Sequence, residues 1–299
     1  MNALNRLAPV KGQNPVAGVG WMVLSGLCFV ALTAVVKYMA ADIPAAQSAF
    51  LRYAAGLIFV GPMLYSVRKE RMGAQTLRAF GYRGLVHTLA VMMWFYAMTR
   101  IPLAEVSAMG YLSPIYVSVG AALFLGEALR LRRIFAIAVA ILGALIILRP
   151  GLRELNSGHL AMLFTAMFFA VSYLLAKRVS DTASPTMVVS MLSITVTVGL
   201  APFAYAVWEP VTGTEVLWFA LIAAFATLGH YLMTFAFAAA PITVTQPVTA
   251  LQLVWAVAIG ALFFAEPVDP WVILGGALVV SAVVFIAMRE HRLRKEGRL

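Results

Sequence analysis

The sequence predicts an all-α integral membrane protein with ten transmembrane helices. Of the 299 residues, 63% are hydrophobic and 11% are charged, a balance that would give a soluble protein too apolar a surface. A helix needs roughly 20 apolar residues to cross about 30 Å of hydrocarbon. The chain supplies ten stretches of about that length, separated by short polar segments. A multi-pass helical membrane protein is therefore expected.

The ten predicted spans are apolar runs whose boundaries are set by charged or turn-forming residues. They cover 17–39, 45–66, 79–99, 104–125, 132–149, 158–177, 186–207, 215–237, 242–264 and 270–288. Outside them lie an amino-terminal segment, 1–16, and a basic tail, 289–299. The connecting loops are too short for a soluble domain, so we expect function to lie among the helices.

The net charge of +10 indicates orientation, because the basic residues cluster on one side of the predicted membrane. That side holds Arg6, Lys11, Arg68, Lys69, Arg71, Arg78, Arg83, Arg130, Arg132, Arg133, Lys177, Arg178 and the basic residues of 289–298. The other side keeps Lys37, Arg52, Arg100, Arg149 and Arg153. Both termini are therefore predicted to be cytoplasmic. Nucleic acid is not an expected partner, since the charge has this simpler explanation.

Metal and disulfide chemistry are not expected. The single cysteine, Cys28, lies in the first predicted helix and has no partner within the chain. The four histidines fall in separate segments without the spacing of metal ligands. The sequence thus predicts neither a metal site nor a cofactor.

The two halves of the chain repeat each other. At a shift of 140 residues Phe29 matches Phe169 and Lys37 matches Lys177. At a shift of 139 the matches are Pro102 with Pro241, Ala122-Leu-Phe with Ala261-Leu-Phe, and Glu127 with Glu266. Segments 17–149 and 158–288 each carry five predicted helices, and an odd number makes the second copy enter the membrane from the opposite side. We expect an inverted repeat, with the solute site near the midplane between the halves.

These features resemble the EamA-type branch of the drug/metabolite transporter superfamily. The resemblance rests on the ten helices, the two halves and the repeated phrase ending at Glu127 and Glu266; Arg52 also looks like an arginine that the family often carries early in helix 2. Pro267 departs from the pattern, and no arginine in helix 7 matches Arg52. The resemblance implies secondary transport, commonly export, of amino acids, other metabolites or drugs across a bacterial inner membrane.

Two histidines lie deep in predicted helices, His87 in helix 3 and His230 in helix 8. An ionisable group at this depth is a candidate functional residue, because burying its charge costs roughly 2.5 kcal/mol or more. The alternative is a neutral imidazole that only joins neighbouring helices. Trp94 follows His87 by seven residues on the same helical face, and the two rings together could contact an aromatic solute. Trp94 could equally anchor the helix at the membrane interface.

Polar stripes mark helices 4 and 9 as further candidates. The predicted solute-contacting residues are Ser107, Tyr111 and Ser118 in helix 4 and Thr249 and Gln252 in helix 9, next to Thr245. Pro114 and Pro247 are expected to kink these helices. Hydrogen bonding between helices would explain the stripes equally well. Small residues such as Ala140 in helix 5 and Gly275 in helix 10 are expected to form packing surfaces.

Charged residues at the helix ends are expected to have structural roles. Lys37 and Lys177 should reach for the membrane interface, with a salt bridge to a gate as the alternative. Glu127 and Glu266 should lie about 30 Å apart, each holding the turn into the next helix. No carboxylate falls at a helix centre, which disfavours strong ion coupling.

The sequence thus predicts a monomeric exporter of small metabolites, most plausibly amino acids, with aromatic and other apolar ones favoured. His87 and the many aromatic residues resemble those of the aromatic amino acid exporter branch. Alternating access with facilitated diffusion is the expected mechanism. A proton-coupled drug or metabolite exporter using a histidine is the alternative, and a membrane enzyme or a channel are hypotheses of other classes. No HExxH, GxSxG or core acid pair supports an enzyme.

Overall fold

The structure is a computed structural model that describes residues 14–39, 43–67, 72–125, 131–152, 154–180, 183, 185–239, 248–249 and 251–295. Eleven helices occupy these ranges. They are α1 (Pro15–Met39), α2 (Ala45–Val67), α3 (Ala74–Met98), α4 (Leu103–Gly110), α5 (Leu112–Leu125), α6 (Leu131–Leu148), α7 (Ser157–Ser180), α8 (Pro185–Ala206), α9 (Gly213–Ala239), α10 (Leu251–Phe264) and α11 (Pro270–Lys295). The described chain is all-helical, as the sequence predicts.

Helix positions follow the predicted spans closely. Four helices contain stretches long and apolar enough to cross a membrane, namely Val16–Met39, Ser157–Ala176, Met187–Ala206 and Gly213–His230. Shorter apolar stretches are Ile134–Leu148, Leu251–Phe264 and Pro270–Ile286. The residues 240–247 at the start of the ninth predicted span lie outside the described ranges, as does most of the amino-terminal segment.

Two helix ends differ from the predicted boundaries. The first helix begins at Pro15 because the side chain of Asn14 accepts the Ala17 amide at 3.1 Å, and proline is well suited to the first helical position. The last helix runs on to Lys295, so the described part of the predicted basic tail continues α11.

The fourth predicted span is interrupted at Tyr111, between α4 and α5. Pro114 lies three residues beyond the break. Its nitrogen cannot donate to the carbonyl of Gly110, and its ring crowds that turn. The break therefore has a cause in the sequence, and it divides the span near its middle.

Helix pairs in the two halves mirror each other. The first half's α1 packs on α9, and α3 packs on α7, which are the pairs exchanged when the halves are swapped. The pairs α2 with α8 and α6 with α11 each join a helix to its own counterpart. Lys37 at the end of α1 and Asn156 just before α7 both bond to carbonyls at the end of α3. Since α1 ends where its counterpart α7 begins, the two halves run in opposite directions through the bundle.

Small residues bring α6 and α11 into close contact, as predicted. A Cβ placed on Gly143 would lie 2.6 Å from the carbonyl oxygen of Gly275. Ala140 and Ala144 are buried in the same interface beside Val279. These helices therefore brace the side of the bundle through backbone approach.

Candidate solute-binding site

His87 lies near the middle of α3 and joins three helices. Its side chain is only 7% exposed. Nε2 is hydrogen-bonded to the hydroxyl of Tyr53 in α2 at 3.1 Å, and Nδ1 to the hydroxyl of Ser172 in α7 at 3.0 Å. A hydroxyl can donate or accept, so a neutral imidazole satisfies both contacts with one donor and one acceptor nitrogen.

Aromatic side chains gather around this histidine. Phe169 of α7 is at the centre, with its ring 5.0 Å from the His87 ring and 6.3 Å from the Trp94 ring between centroids. Tyr173 stacks on Phe169 at 6.1 Å with an interplanar angle of 16°. We call Tyr53, His87, Trp94, Phe169 and Tyr173 the ring cluster. It brings the predicted residues His87 and Trp94 together through Phe169, so both face the packed interior.

Two arginines border the ring cluster. The guanidinium of Arg52 lies over the Tyr53 ring, 4.0 Å from its centroid. Arg83 lies one turn before His87, is 6% exposed and donates to the carbonyl of Val188 at 3.2 Å. Arg83, expected among the basic residues of the cytoplasmic side, is thus buried within α3 against α8.

His230 lies on the equivalent helix of the other half, about one turn from the position that matches His87. Its ring meets Phe29 of α1 edge-on, 5.1 Å between centroids. Phe29 and Phe169 match in the repeat, so each histidine contacts the equivalent phenylalanine of the opposite half. The His230 side chain is exposed, unlike that of His87. Arg52 is close enough to both histidines to interact electrostatically with each.

The predicted stripes of helices 4 and 9 meet each other rather than the ring cluster. Tyr111 lies at the break between α4 and α5, and its hydroxyl donates to the carbonyl of Thr249. Gln252 packs against α1, since a Cβ on Gly26 would lie 3.1 Å from its Cγ. Ser107 is half-buried in α4 and Pro114 is exposed in α5.

Three residues of these stripes are not described. Thr245 and Pro247 lie outside the described ranges, so the predicted kink at Pro247 stays a prediction. The backbone of Ser118 is described in α5, but its side chain is not.

A network of ion pairs ties the bundle together where α1 ends. Lys37 forms a salt bridge with Glu266 and donates to the carbonyl of Ile101 at 2.9 Å. The other carboxylate oxygen of Glu266 accepts the amide of Leu103, the first residue of α4, at 2.9 Å. Lys37 thus forms a salt bridge, the alternative expected for it, and its ammonium is held by the carboxylate of Glu266. Glu266 joins α1 and α4 instead of holding the turn into α11, while Glu127 lies outside the described residues.

Two further pairs reinforce this network. Glu105 in the first turn of α4 meets His159 of α7 at 2.5 Å, with side chains 4% and 6% exposed. Arg149 after α6 pairs with Asp269 before α11. We call Lys37, Glu105, Arg149, His159, Glu266 and Asp269 the Lys37 end of the bundle. Each of its three pairs joins the first half of the chain to the second.

A cavity of about 260 Å³ opens at the Lys37 end. Its lining includes Glu105, His159, Glu266 and Asp269 together with apolar residues such as Val257 and Val272. Within the described ranges, no three His, Cys, Asp or Glu side chains are arranged to hold a metal ion. The carboxylates here thus act as partners of cations and of a helix amino terminus.

Sequence reasoning missed Tyr53 and Tyr173 as members of the site. Both tyrosines lie in strongly apolar helices, where a hydroxyl needs a partner, and that was the available signal. The sequence does not distinguish Ser172 either, because serine in a helix commonly bonds its own helix backbone. Only the packing of α2 and α7 against α3 reveals that the hydroxyls of Tyr53 and Ser172 meet His87.

Known proteins of similar sequence are membrane transporters. A riboflavin transporter of Rhizobium johnstonii is 30% identical over 295 residues, covering 96% of each chain. A pseudopaline exporter of Pseudomonas aeruginosa is 29% identical, covering 91% of this chain and 96% of its own length. One crystal structure matches with a TM-score of 0.55 at 17% identity, covering 91% of this chain and 98% of that one. This last likeness supports the fold alone.

The EamA-like transporter family matches two consecutive segments, residues 16–149 and 156–288, which together include nearly all of the chain. The family and the similar proteins are transporters of small molecules and not enzymes. The membrane-enzyme hypothesis is thereby set aside. This chain belongs to the EamA-like transporter family and carries two EamA repeats.

Proposed function

We propose that this protein moves a small metabolite with a planar ring across the bacterial inner membrane by alternating access. The observation that carries the proposal is the ring cluster, which lies near the middle of α2, α3 and α7 and draws residues from both halves of the chain. Transporters built from inverted repeats bind solutes at such a place. Phe169 and Trp94 offer ring faces for stacking. The hydroxyl of Tyr53, held by His87, keeps capacity for a further hydrogen bond to a planar polar ring.

The proposed topology has ten spans with both termini in the cytoplasm. Repeats 17–149 and 158–288 then run in opposite directions, in agreement with the exchange of helix partners between the halves. The protein is proposed to work as a monomer, since one chain supplies both halves of the site.

Two classes of solute fit the ring cluster. Riboflavin is the first, because it carries a planar three-ring system and the similar protein of Rhizobium johnstonii is named a riboflavin transporter. Aromatic amino acids are the second, because the cationic group of Arg52 stands beside the rings and could receive a carboxylate. Export is the proposed direction for an amino acid made inside the cell.

Alternating access requires the Lys37 end to open and close. This end joins the halves through two ion pairs and the Glu105–His159 hydrogen bond, and its cavity already contains polar groups that water could reach. On the sequence-based topology it faces the outside. Breaking the pair of Lys37 with Glu266 is then part of the step that exposes the ring cluster to that side.

Facilitated diffusion is the proposed energetic mode. The described carboxylates lie at helix ends and are paired or exposed, whereas ion-coupled transporters commonly use a carboxylate within the membrane. Proton antiport through His87 is the alternative, because this imidazole lies in the site and histidine can titrate near neutral pH.

The test is counterflow in proteoliposomes with labelled riboflavin and labelled phenylalanine. We expect uptake of one of them without any pH gradient, and the same rate when a gradient is imposed. The His87→Ala variant should lose at least about tenfold in rate, since two hydrogen bonds and one ring contact disappear. Leu85→Ala is the matched control, because Leu85 is exposed on the outer face of the same helix and should leave the rate unchanged.

Several outcomes would contradict this proposal. Wild-type inactivity on every ring-bearing solute would overturn the solute class. Uptake that depends on an imposed pH gradient would replace facilitated diffusion with antiport. An unchanged rate in His87→Ala would remove the ring cluster as the site.

A further inference from the structure

Arg52 differs from the other cations inside the helical bundle. It lies in the eighth position of α2, next to Tyr53 of the ring cluster. Among the described residues it forms no ion pair and no hydrogen bond. Its Nε atom is buried without a partner, as are those of Arg83 and Arg149, but these two arginines form a hydrogen bond or an ion pair through their other nitrogens. A cation held within a membrane is costly unless a counter-charge or a polar cavity compensates it.

The neighbouring cationic side chains each form an ion pair or a hydrogen bond, which Arg52 does not do among the described residues. Lys37 is paired with Glu266, and Arg149 is paired with Asp269. Arg83 has no acidic partner in the described chain, but it donates to the carbonyl of Val188. The Arg52 guanidinium lies instead over the face of the Tyr53 ring, 4.0 Å from its centroid. This stacking leaves the N–H donors of the guanidinium available.

The position of this guanidinium is set by the site itself. The guanidinium lies over the face of the Tyr53 ring, and the hydroxyl of the same tyrosine is hydrogen-bonded to His87. Arg52 is also near enough to His230 to interact with it electrostatically. One arginine therefore lies beside the aromatic surface and within electrostatic reach of both histidines.

We propose that Arg52 is the counter-ion for an anionic group on the transported solute, and that the solute is therefore a ring-bearing carboxylate or phosphate. A guanidinium presents parallel N–H donors that match the two oxygens of either group. The planar ring would lie on Phe169 and Trp94 while the anionic group meets Arg52. This inference rests on the proposed function and narrows its solute class from planar rings to planar rings with a negative charge.

The test compares pairs of solutes that share a ring and differ in charge. Phenylacetate with phenylacetamide tests a carboxylate, and flavin mononucleotide with riboflavin tests a phosphate. Each compound is used to inhibit and to exchange in the counterflow assay with purified, reconstituted protein. We expect one charged member to be favoured over its neutral partner by at least about tenfold, the usual range for a charge-assisted hydrogen bond.

Variants of Arg52 separate a solute-binding role from a structural one. Arg52→Gln should abolish the preference for the charged member, and Arg52→Lys should keep part of it, because lysine supplies the charge without the fork. Arg132→Gln, at the exposed start of α6, is the control and should keep the full preference. The midpoint of thermal unfolding of Arg52→Gln without solute should equal or exceed that of the wild type, since an unpaired cation has been removed.

Each result decides the matter. Equal exchange of charged and neutral members by the wild type, unaltered in Arg52→Gln, would overturn the anion inference and leave the proposed function standing. A marked fall in the unfolding midpoint of Arg52→Gln, with the preference retained, would make Arg52 structural. Failure of all four compounds to exchange would overturn both the inference and the proposed function.

Discussion

The Lys37 end and the ring cluster differ in whether their cationic side chains are paired with carboxylates. At the Lys37 end both named cations pair with a carboxylate, Lys37 with Glu266 and Arg149 with Asp269, and the imidazole of His159 is hydrogen-bonded to Glu105. In the ring cluster the polar groups are hydroxyls and an imidazole, and Arg52 beside them has no acidic partner within the described chain. Both regions join the two halves, but they join them with different chemistry.

This difference distinguishes a region that holds the helices together, the Lys37 end, from a region that binds the solute, the ring cluster. Charges that are paired inside the protein fix the helices to one another, because breaking a buried pair leaves an uncompensated charge. Charges and hydroxyls that keep spare capacity can instead be completed by a solute. We therefore expect variants at the Lys37 end to change stability most, and variants in the ring cluster to change transport most.

The largest effect on stability is expected from Glu266→Ala. This change strands the Lys37 ammonium and removes the acceptor of the Leu103 amide at the start of α4. Loss of one partner from a largely buried pair costs about 3 kcal/mol. Chemical unfolding in detergent micelles measures the loss.

The double variant Lys37→Ala with Glu266→Ala is the control for this prediction. It should recover part of the lost stability, because no charge is left without a partner. Strictly additive losses in the two single variants would show that the pair is not coupled, which would contradict the holding role of the Lys37 end.

A smaller effect is expected from Glu105→Gln. Glutamine keeps the size of the side chain and can still bond to His159, but the charge-assisted contact is lost. We expect a loss of about 1.5 kcal/mol in unfolding free energy. Glu154→Gln, an exposed acid in the adjacent loop, should change stability very little. Equal losses of unfolding free energy in the two variants would mean that the buried Glu105–His159 contact does not stabilise the Lys37 end.

The smallest effect on stability is expected from Tyr53→Phe. It removes one hydrogen bond to His87 and leaves the ring beneath Arg52 in place. Hydrogen bonds between membrane helices are worth about 0.6 kcal/mol on average. The counterflow rate should fall clearly more than this small loss of stability suggests. A large loss of stability without a change in rate would reverse the roles assigned to the two regions.

The sequence predicted the helices well because hydrophobicity at membrane length is a strong local signal. It also predicted small-residue packing surfaces at Ala140 in α6 and Gly275 in α11, and the structure adds that these two surfaces meet each other. The repeat matched Phe29 with Phe169, and the structure places each beside a histidine of the opposite half. Residues that share a helix face or a repeat position were thus within reach of sequence reasoning.

Contacts between helices could not be predicted from the sequence. The pairing of Lys37 with Glu266 spans most of the chain, and nothing in the local pattern distinguishes it from a lysine that extends to the interface. Arg83 counted among the basic residues of one membrane side, and only the packing of α3 on α8 shows that its side chain is buried. Tyr53 and Ser172 became visible only when three helices were brought around His87.

Solute-induced stabilisation tests the central claim most directly. Thermal unfolding midpoints in detergent would be measured with and without saturating riboflavin or phenylalanine for the wild type, His87→Ala and Glu266→Gln, because a solute that binds only the folded state raises the midpoint. We predict that one of these solutes raises the midpoint of the wild type and of Glu266→Gln, even if the latter starts lower, and that His87→Ala does not respond. An equal rise in His87→Ala, or no rise in the wild type with either solute, would contradict binding at the ring cluster.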